Sequence, residues 1–244
     1  MPRKAPLVSL LTLLQRRFPD LVDPAVLIKE GGVLVDGLPA ASARTRVRAD
    51  ATVLLRRPRP LRGTVKLTAA LAGFGVDAAG AVALDLGAAA GGFTQALLAA
   101  GAAQVYAVDV GVGQLRGWLR ADSRVINLER TNLADLGPDL IADRVDLITV
   151  DLSYLSVAGA IGQVDPELLA PGAQVIALIK PTFELHSADL ADRPDQVAAA
   201  VQLARSALEM HGWRVRGDMP SPIPGAKGAI EVFVHAALAT LEAG

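Results

Sequence analysis

The residues best suited to chemistry in this 244-residue chain lie where an apolar run ends in an acid and a glycine-rich turn: Leu84-Asp85-Leu86-Gly87-Ala88-Ala89-Ala90-Gly91-Gly92-Phe93. Glycines let a backbone turn sharply and let a ligand approach without a Cβ in the way. The amphipathic segment that follows, 93–100, begins a helix whose first N–H groups lack intrahelical partners and point over the turn. A second apolar run, Val105–Val108, ends at Asp109, 22 positions after Gly87. That is close to the roughly 20 between a nucleotide-binding glycine turn and the acid that holds ribose hydroxyls. The pair suits a ligand that carries a nucleoside. The spacing G-x-x-x-G-G is not the dinucleotide pattern G-x-G-x-x-G, which argues against a nicotinamide cofactor.

Such a turn needs a sheet to carry it. Strands are expected at 81–84, 105–108, 124–128, 146–151, 174–179, 213–217 and 230–236, with helices at 64–72, 93–100 and 197–211 and one running to about Leu169. Strands alternating with helices predict an α/β fold with a doubly wound sheet. Ligands of such sheets bind beyond the carboxyl ends of the strands. Gly87, Asp109, Asp151 and Lys180 all fall at that rim.

The N-terminal part differs. Residues 1–66 hold 13 Lys/Arg and 5 Asp/Glu, a balance of +8, against 11 and 20 in the remainder. A basic part on an acidic protein suggests a polyanion partner. Residues 7–14 have helical apolar spacing, closed by Arg16-Arg17, and Asp23-Pro24 opens a second short helix through Lys29. Val33-Leu34-Val35-Asp36-Gly37 runs into a hairpin turn, and 47–55 reads as one more strand. Arg56-Arg57-Pro58-Arg59-Pro60-Leu61-Arg62 is an extended linker whose arginines suit phosphate contacts. The expected division is 1–57, a linker 58–62, and 63–244. With no cysteines, and with His186, His211 and His235 far apart, no metal site is expected. The stretch 86–108 carries no charge but contains four glycines, and no signal segment starts the chain. A soluble, cytoplasmic protein without a membrane partner is expected.

Asp85-Leu86-Gly87-Ala88-Ala89-Ala90-Gly91-Gly92-Phe93-Thr94-Gln95 resembles the cofactor loop of the FtsJ-type ribose 2′-O-methyltransferases, which bind S-adenosylmethionine. Within that group the chain is similar to the TlyA (hemolysin A-like) rRNA methyltransferases. The matching segments are Tyr106–Gly111 with Gly113-Gln114-Leu115, Leu128–Asn132, Ile179-Lys180-Pro181 and Ser221-Pro222-Ile223. The resemblance implies a Rossmann-like methyltransferase sheet behind a small S4-type α/β RNA-binding domain, an rRNA or ribosomal partner, and S-adenosylmethionine as cofactor. It implies cofactor contacts from Asp85, Gly87, Ala88, Gly91, Gly92, Phe93, Asp109 and Asn132. Phosphate contacts are expected from Arg44, Arg46, Arg48, Arg56, Arg57, Arg59 and Arg62.

FtsJ-type enzymes use a Lys–Asp–Lys–Glu set, which falls here on Lys66, Asp151, Lys180 and Glu231. A ribose hydroxyl must lose its proton as it attacks, and a lysine serves as base only when part of it is neutral. Each residue also has an ordinary use: an exposed helix lysine, a helix cap, a lysine snorkelling from a strand end, a carboxylate on an edge strand. Two other readings fit parts of the chain. One is an RNA-binding protein that keeps the fold without turnover. The other is a membrane-active protein, as the hemolysin name suggests, which the lack of an apolar span disfavours. Where the family usually has a glycine-rich loop after the 180–184 segment, this chain has Leu185-His186-Ser187-Ala188-Asp189-Leu190.

Overall fold

A computed structural model describes residues 5–19, 21, 24–29, 31–55, 60–185 and 193–239, excepting the side chains of Val26 and Lys227. Arg56, Arg57, Arg59 and the loop 186–190 lie outside the described residues. The chain divides into two compact units, Met1–Pro60 and Leu61–Gly244.

The first unit contains β1 (Leu7–Ser9), α1 (Leu10–Arg17), α2 (Pro24–Lys29), β2 (Val33–Val35), β3 (Leu38–Pro39), β4 (Arg46–Arg48) and β5 (Val53–Leu55). The expected helix over 7–14 starts three residues late. Ser9 is extended and caps α1, its hydroxyl accepting the Thr12 N–H, while Leu7–Ser9 pairs with Arg46–Arg48. Apolar spacing alone cannot separate a helix from the short strand leading into it. The expected strand over 47–55 is two strands with different partners: β4 joins β1, and β5 joins β2. Asp36 and Gly37, both at positive φ, make the β2–β3 hairpin turn. Leu10, Leu13, Leu14, Ile28, Val33 and Val47 form this unit's core.

The second unit runs α3 (Arg62–Phe74), β6 (Val82–Leu86), α4 (Gly92–Ala99), β7 (Gln104–Asp109), α5 (Gly117–Arg120), β8 (Val125–Glu129), β9 (Val145–Val150), α6 (Val157–Ile161), β10 (Leu169–Ile179), α7 (Pro181–Glu184), α8 (Pro194–Met210), β11 (Trp213–Pro220) and β12 (Val232–Leu238). Its sheet has the order β11-β12-β10-β9-β6-β7-β8. β8, β7, β6, β9 and β10 are parallel, and β12 is antiparallel to both neighbours. This is the expected doubly wound α/β sheet. The helix expected through Leu169 is shorter: α6 stops at Ile161, and β10 already begins at Leu169, irregular until Gln174. Arg62, expected in the linker, is the first residue of α3.

Strand alternation decides what faces what. Leu84, Leu86, Ile148, Val150, Val175, Ala177 and Ile179 pack with α6 and α8. Ala83, Leu147, Ile176, Leu178 and Phe233 pack with α3 and α4. Continued past the strand ends, the second set gives Gly87, Asp151 and Lys180, and, ahead of β12, Glu231. The strand order turns back between β6 and β9, so the crevice that binds ligands in such sheets opens where Gly87 meets Asp151.

Candidate active site

The turn after β6 is built from its floor. Asp85 is fully buried, and its carboxylate accepts the hydroxyls of Thr94 (2.6 Å) and Thr149 (3.0 Å). Burial pushes its pKa up from 3.8 to about 6, against the pull of those two hydroxyls. Asp85 therefore does not reach a ligand as expected of a cofactor contact; it ties α4 to β9 beneath the turn. Gly87 (φ 90°) and Gly91 (φ 93°) take backbone conformations that side chains disfavour, and a Cβ at Gly87 would meet the Asp151 carbonyl oxygen at 2.7 Å. The Gly87 and Ala88 N–H groups donate to the Val108 carbonyl. Gly92 serves packing as well: a Cβ there would meet Gly63 Cα at 2.7 Å, where α3 crosses α4. Phe93 is buried, its ring 6.1 Å from that of Phe233, and it forms part of the cleft lining.

Asp109 ends β7 beside this turn. Its carboxylate accepts the Ala89 N–H (2.8 Å) and the Gly111 N–H (2.7 Å), one on each oxygen. Each oxygen keeps a lone pair for a further donor. Tyr154, half exposed, has its phenol pKa raised by partial burial and by the charge of Asp109. Asn132 is exposed after β8 and directs its amide to Asp135 at 3.4 Å.

Two lysine–carboxylate pairs stand at the rim. Lys180 Nζ lies 2.7 Å from Asp151 Oδ1 and donates to Ser153 Oγ at 2.9 Å. Lys66, on the buried face of α3, pairs with Glu231, and both are 6% exposed. The β10–β12 register ends at Ile179 opposite Val232, so one residue further sets Lys180 opposite Glu231. Three of the four ordinary uses do not apply. Lys66 is not a surface lysine. Asp151 does not cap α6; Ser156 does, accepting the Gly159 N–H. Glu231 precedes a strand flanked on both sides rather than an edge strand. Arg62 donates to the Pro224 carbonyl at 2.5 Å and sits on the cleft wall. That is a tie within the unit, at an exposed residue from which a phosphate contact was expected. The cleft, about 380 Å³, is lined by 61–63, 87–90, Gly92, Phe93, Asp151, Ser153 and Lys180.

The FtsJ-like methyltransferase family matches residues 60–238. The chain belongs to the FtsJ-like methyltransferases. This methyltransferase is 41% identical over 224 residues, 86% of its length and 81% of the relative's, to the 16S/23S rRNA (cytidine-2′-O)-methyltransferase TlyA of Mycobacterium tuberculosis. It is 33% identical to Hemolysin A of Brachyspira hyodysenteriae, covering 86% of this chain and 90% of that one. Among solved structures, "Putative hemolysin from Streptococcus thermophilus" superposes with a TM-score of 0.69 at 27% identity, over 96% of this chain and 89% of that one.

The methyltransferase's cofactor is S-adenosylmethionine, and the residues present fit it. The 87–92 turn is free of bulky side chains, the first N–H groups of α4 precede its first intrahelical bond at Gln95, and Asp109 offers two acceptor oxygens for a ribose diol. Among the described residues no cluster could hold a metal ion, and no helix is long and apolar enough to cross a membrane.

In the first unit Arg44, Arg46 and Arg48 are exposed, with Val47 turned into the core between the last two. Arg48 is paired with Asp50 at 2.7 Å, and Arg46 donates to the Leu7 carbonyl. Sequence reasoning missed Ser153, and also Gly225, which packs against Glu231. A serine two residues after a rim aspartate was a usable signal for the first. The second lay within four residues of the Ser221-Pro222-Ile223 match.

Proposed function

We propose that this methyltransferase methylates ribose 2′-hydroxyls of ribosomal RNA, with Lys180 taking the hydroxyl proton. The observation that carries the reading is the placement of two lysine–carboxylate pairs, Lys180–Asp151 and Lys66–Glu231, at adjacent strand ends beside the cofactor turn. The name of the Mycobacterium tuberculosis relative, which specifies the cytidine 2′-oxygen of 16S and 23S rRNA, supports the substrate. An rRNA substrate also supports action in the cytoplasm.

When bound, S-adenosylmethionine supplies an electrophilic methyl group on a sulfonium. Lys180 in its neutral form accepts the 2′-hydroxyl proton on Nζ as the oxygen's electron pair is freed for attack. Asp151 fixes the direction of Nζ and holds the ammonium that results. The Lys66 ammonium, kept in place by Glu231, favours negative charge developing on the oxygen. Asp109 would hold the cofactor's ribose hydroxyls, Gly87, Ala88, Gly91 and Gly92 give the turn its shape, and Asn132 would contact the adenine. Asp85 acts from below, by holding α4.

Residues 1–57 form the RNA-docking part in this reading, as a degenerate S4-type domain. Its two helices, its β2–β3 hairpin and the exposed Arg44 and Arg46 support that. Its contacts would be to phosphates, giving affinity rather than base selection.

The test is to incubate the protein with S-adenosylmethionine carrying a trideuterated methyl group and with 16S and 23S rRNA, then digest the RNA to nucleosides for mass spectrometry. The label is expected on ribose. A protein that binds cofactor and RNA but leaves every nucleoside unlabelled would instead be an RNA-binding protein that has kept the fold.

A further inference from the structure

Lys180 has two neighbours on its ammonium, and only the carboxylate was expected. Ser153 lies in the loop after β9, lines the cleft, and accepts a hydrogen bond from Lys180 Nζ at 2.9 Å while Asp151 stands at 2.7 Å. An ammonium has three N–H donors in fixed tetrahedral directions. With one acceptor the long side chain can still pivot about that single bond, carrying the other N–H directions with it. With two acceptors the pivot is stopped, and one direction remains.

We propose that Ser153 is a positioning residue for Lys180: with Asp151 it takes two of the three directions at Nζ and aims the third into the cleft. The proposal rests on the reading of Lys180 as base. In the neutral amine the two remaining N–H groups stay on Asp151 and Ser153, and the lone pair occupies the third direction. The proton leaving the ribose hydroxyl arrives there, and Nζ again carries three protons. Neither bond needs to break during the transfer. Glu231, opposite Lys180 by the β10–β12 register, is paired with Lys66.

The test uses the full chain with Ser153→Ala and Ser153→Thr. The Lys180 ammonium is observed by NMR in cofactor-free protein labelled with 15N-lysine, and its signal is assigned by its loss in Lys180→Arg. Ser153→Ala should speed exchange of those protons with water several-fold. It should also cut kcat about tenfold, a part of the effect of a positioned base, while KM for RNA and cofactor affinity by calorimetry stay unchanged. Ser153→Thr, which keeps the hydroxyl, should restore both. Unchanged exchange and unchanged kcat in Ser153→Ala overturn the proposal. So does a fall in kcat with no change in the ammonium signal, which marks a purely structural role. A wild-type protein that transfers no methyl group to RNA overturns the base reading itself, and that result is distinct from a working wild type indifferent to Ser153→Ala.

Discussion

Gly225 lies so close against the Glu231 carboxylate that no side-chain carbon fits between them: a Cβ on Gly225 would overlap Oε1 and reach Cδ at 2.7 Å. Arg62 holds this loop from outside through the Pro224 and Gly225 carbonyls. Glu231 cannot simply swing away, because its carboxylate is buried on Lys66. Gly225→Ala should therefore pull the pair apart. Losing a buried ion pair costs about 3–5 kcal/mol when one partner is removed, so a displaced one should cost about 1–3 kcal/mol. Urea unfolding and turnover should both show the loss, with cofactor affinity nearly intact. A variant as stable and as active as the wild type would mean that the loop yields freely and Glu231 keeps its place.

Asp109→Ala should weaken S-adenosylmethionine binding by about 1–3 kcal/mol, the usual loss for hydrogen bonds to a charged group. Part of that loss is indirect, since the Ala89 and Gly111 N–H groups lose their acceptor and the turn loses a tether. Calorimetry reads it directly. Equal affinity in wild type and variant would remove Asp109 from the cofactor site.

The sheet was legible in the sequence because its seven strands are apolar runs cut by glycines and acids, and because ligand-facing residues of such sheets must end strands. What was not legible depends on contacts between distant segments. Leu7–Ser9 becomes a strand only because Arg46–Arg48 lies beside it. Arg62 meets a carbonyl 162 residues away, a tie that its place in a basic run could not show. Asp85 looked like a ligand contact from its position next to the turn. Alternation puts its side chain on the α4 face, where two threonines take it.

Asp85 also sets a pH dependence. Its carboxyl is held at about 6 in the folded chain, above the ordinary 3.8. The folded state therefore binds the extra proton between those values. The stability this contributes is full below about 3.8 and is lost as pH rises through 6. Asp85→Asn stays neutral and keeps hydrogen-bonding groups for both threonines. Wild type should lose about 2.4 kcal/mol relative to Asp85→Asn between pH 4 and 7, at ~1.4 kcal/mol per pKa unit less the part already lost at pH 4. Paired urea titrations at the two pH values measure this. A stability difference that does not change with pH would show that Asp85 titrates as it does in the unfolded chain.

Removing residues 1–57 should weaken RNA binding and leave cofactor binding intact, because the cofactor turn lies wholly within the second unit. The slope of log affinity against log salt should also become shallower, since fewer phosphate counterions are released. Equal affinity and equal slope in both proteins would take the first unit out of RNA recognition.

Lys180 carries the central claim. Its work falls at the moment of proton loss, so Lys180→Ala should leave cofactor affinity little changed and cut turnover by about 10²–10⁴, the range for a positioned acid or base. Lys180→Arg is the sharper variant, because guanidinium keeps a positive charge beside Asp151 but does not give up its proton near neutral pH. The decisive measurement is single-turnover methyl transfer to rRNA by Lys180→Arg with both ligands saturating. The account predicts a rate nearly as low as that of Lys180→Ala. A rate near that of the wild type would contradict it, leaving this position to supply charge alone and the base to be found elsewhere.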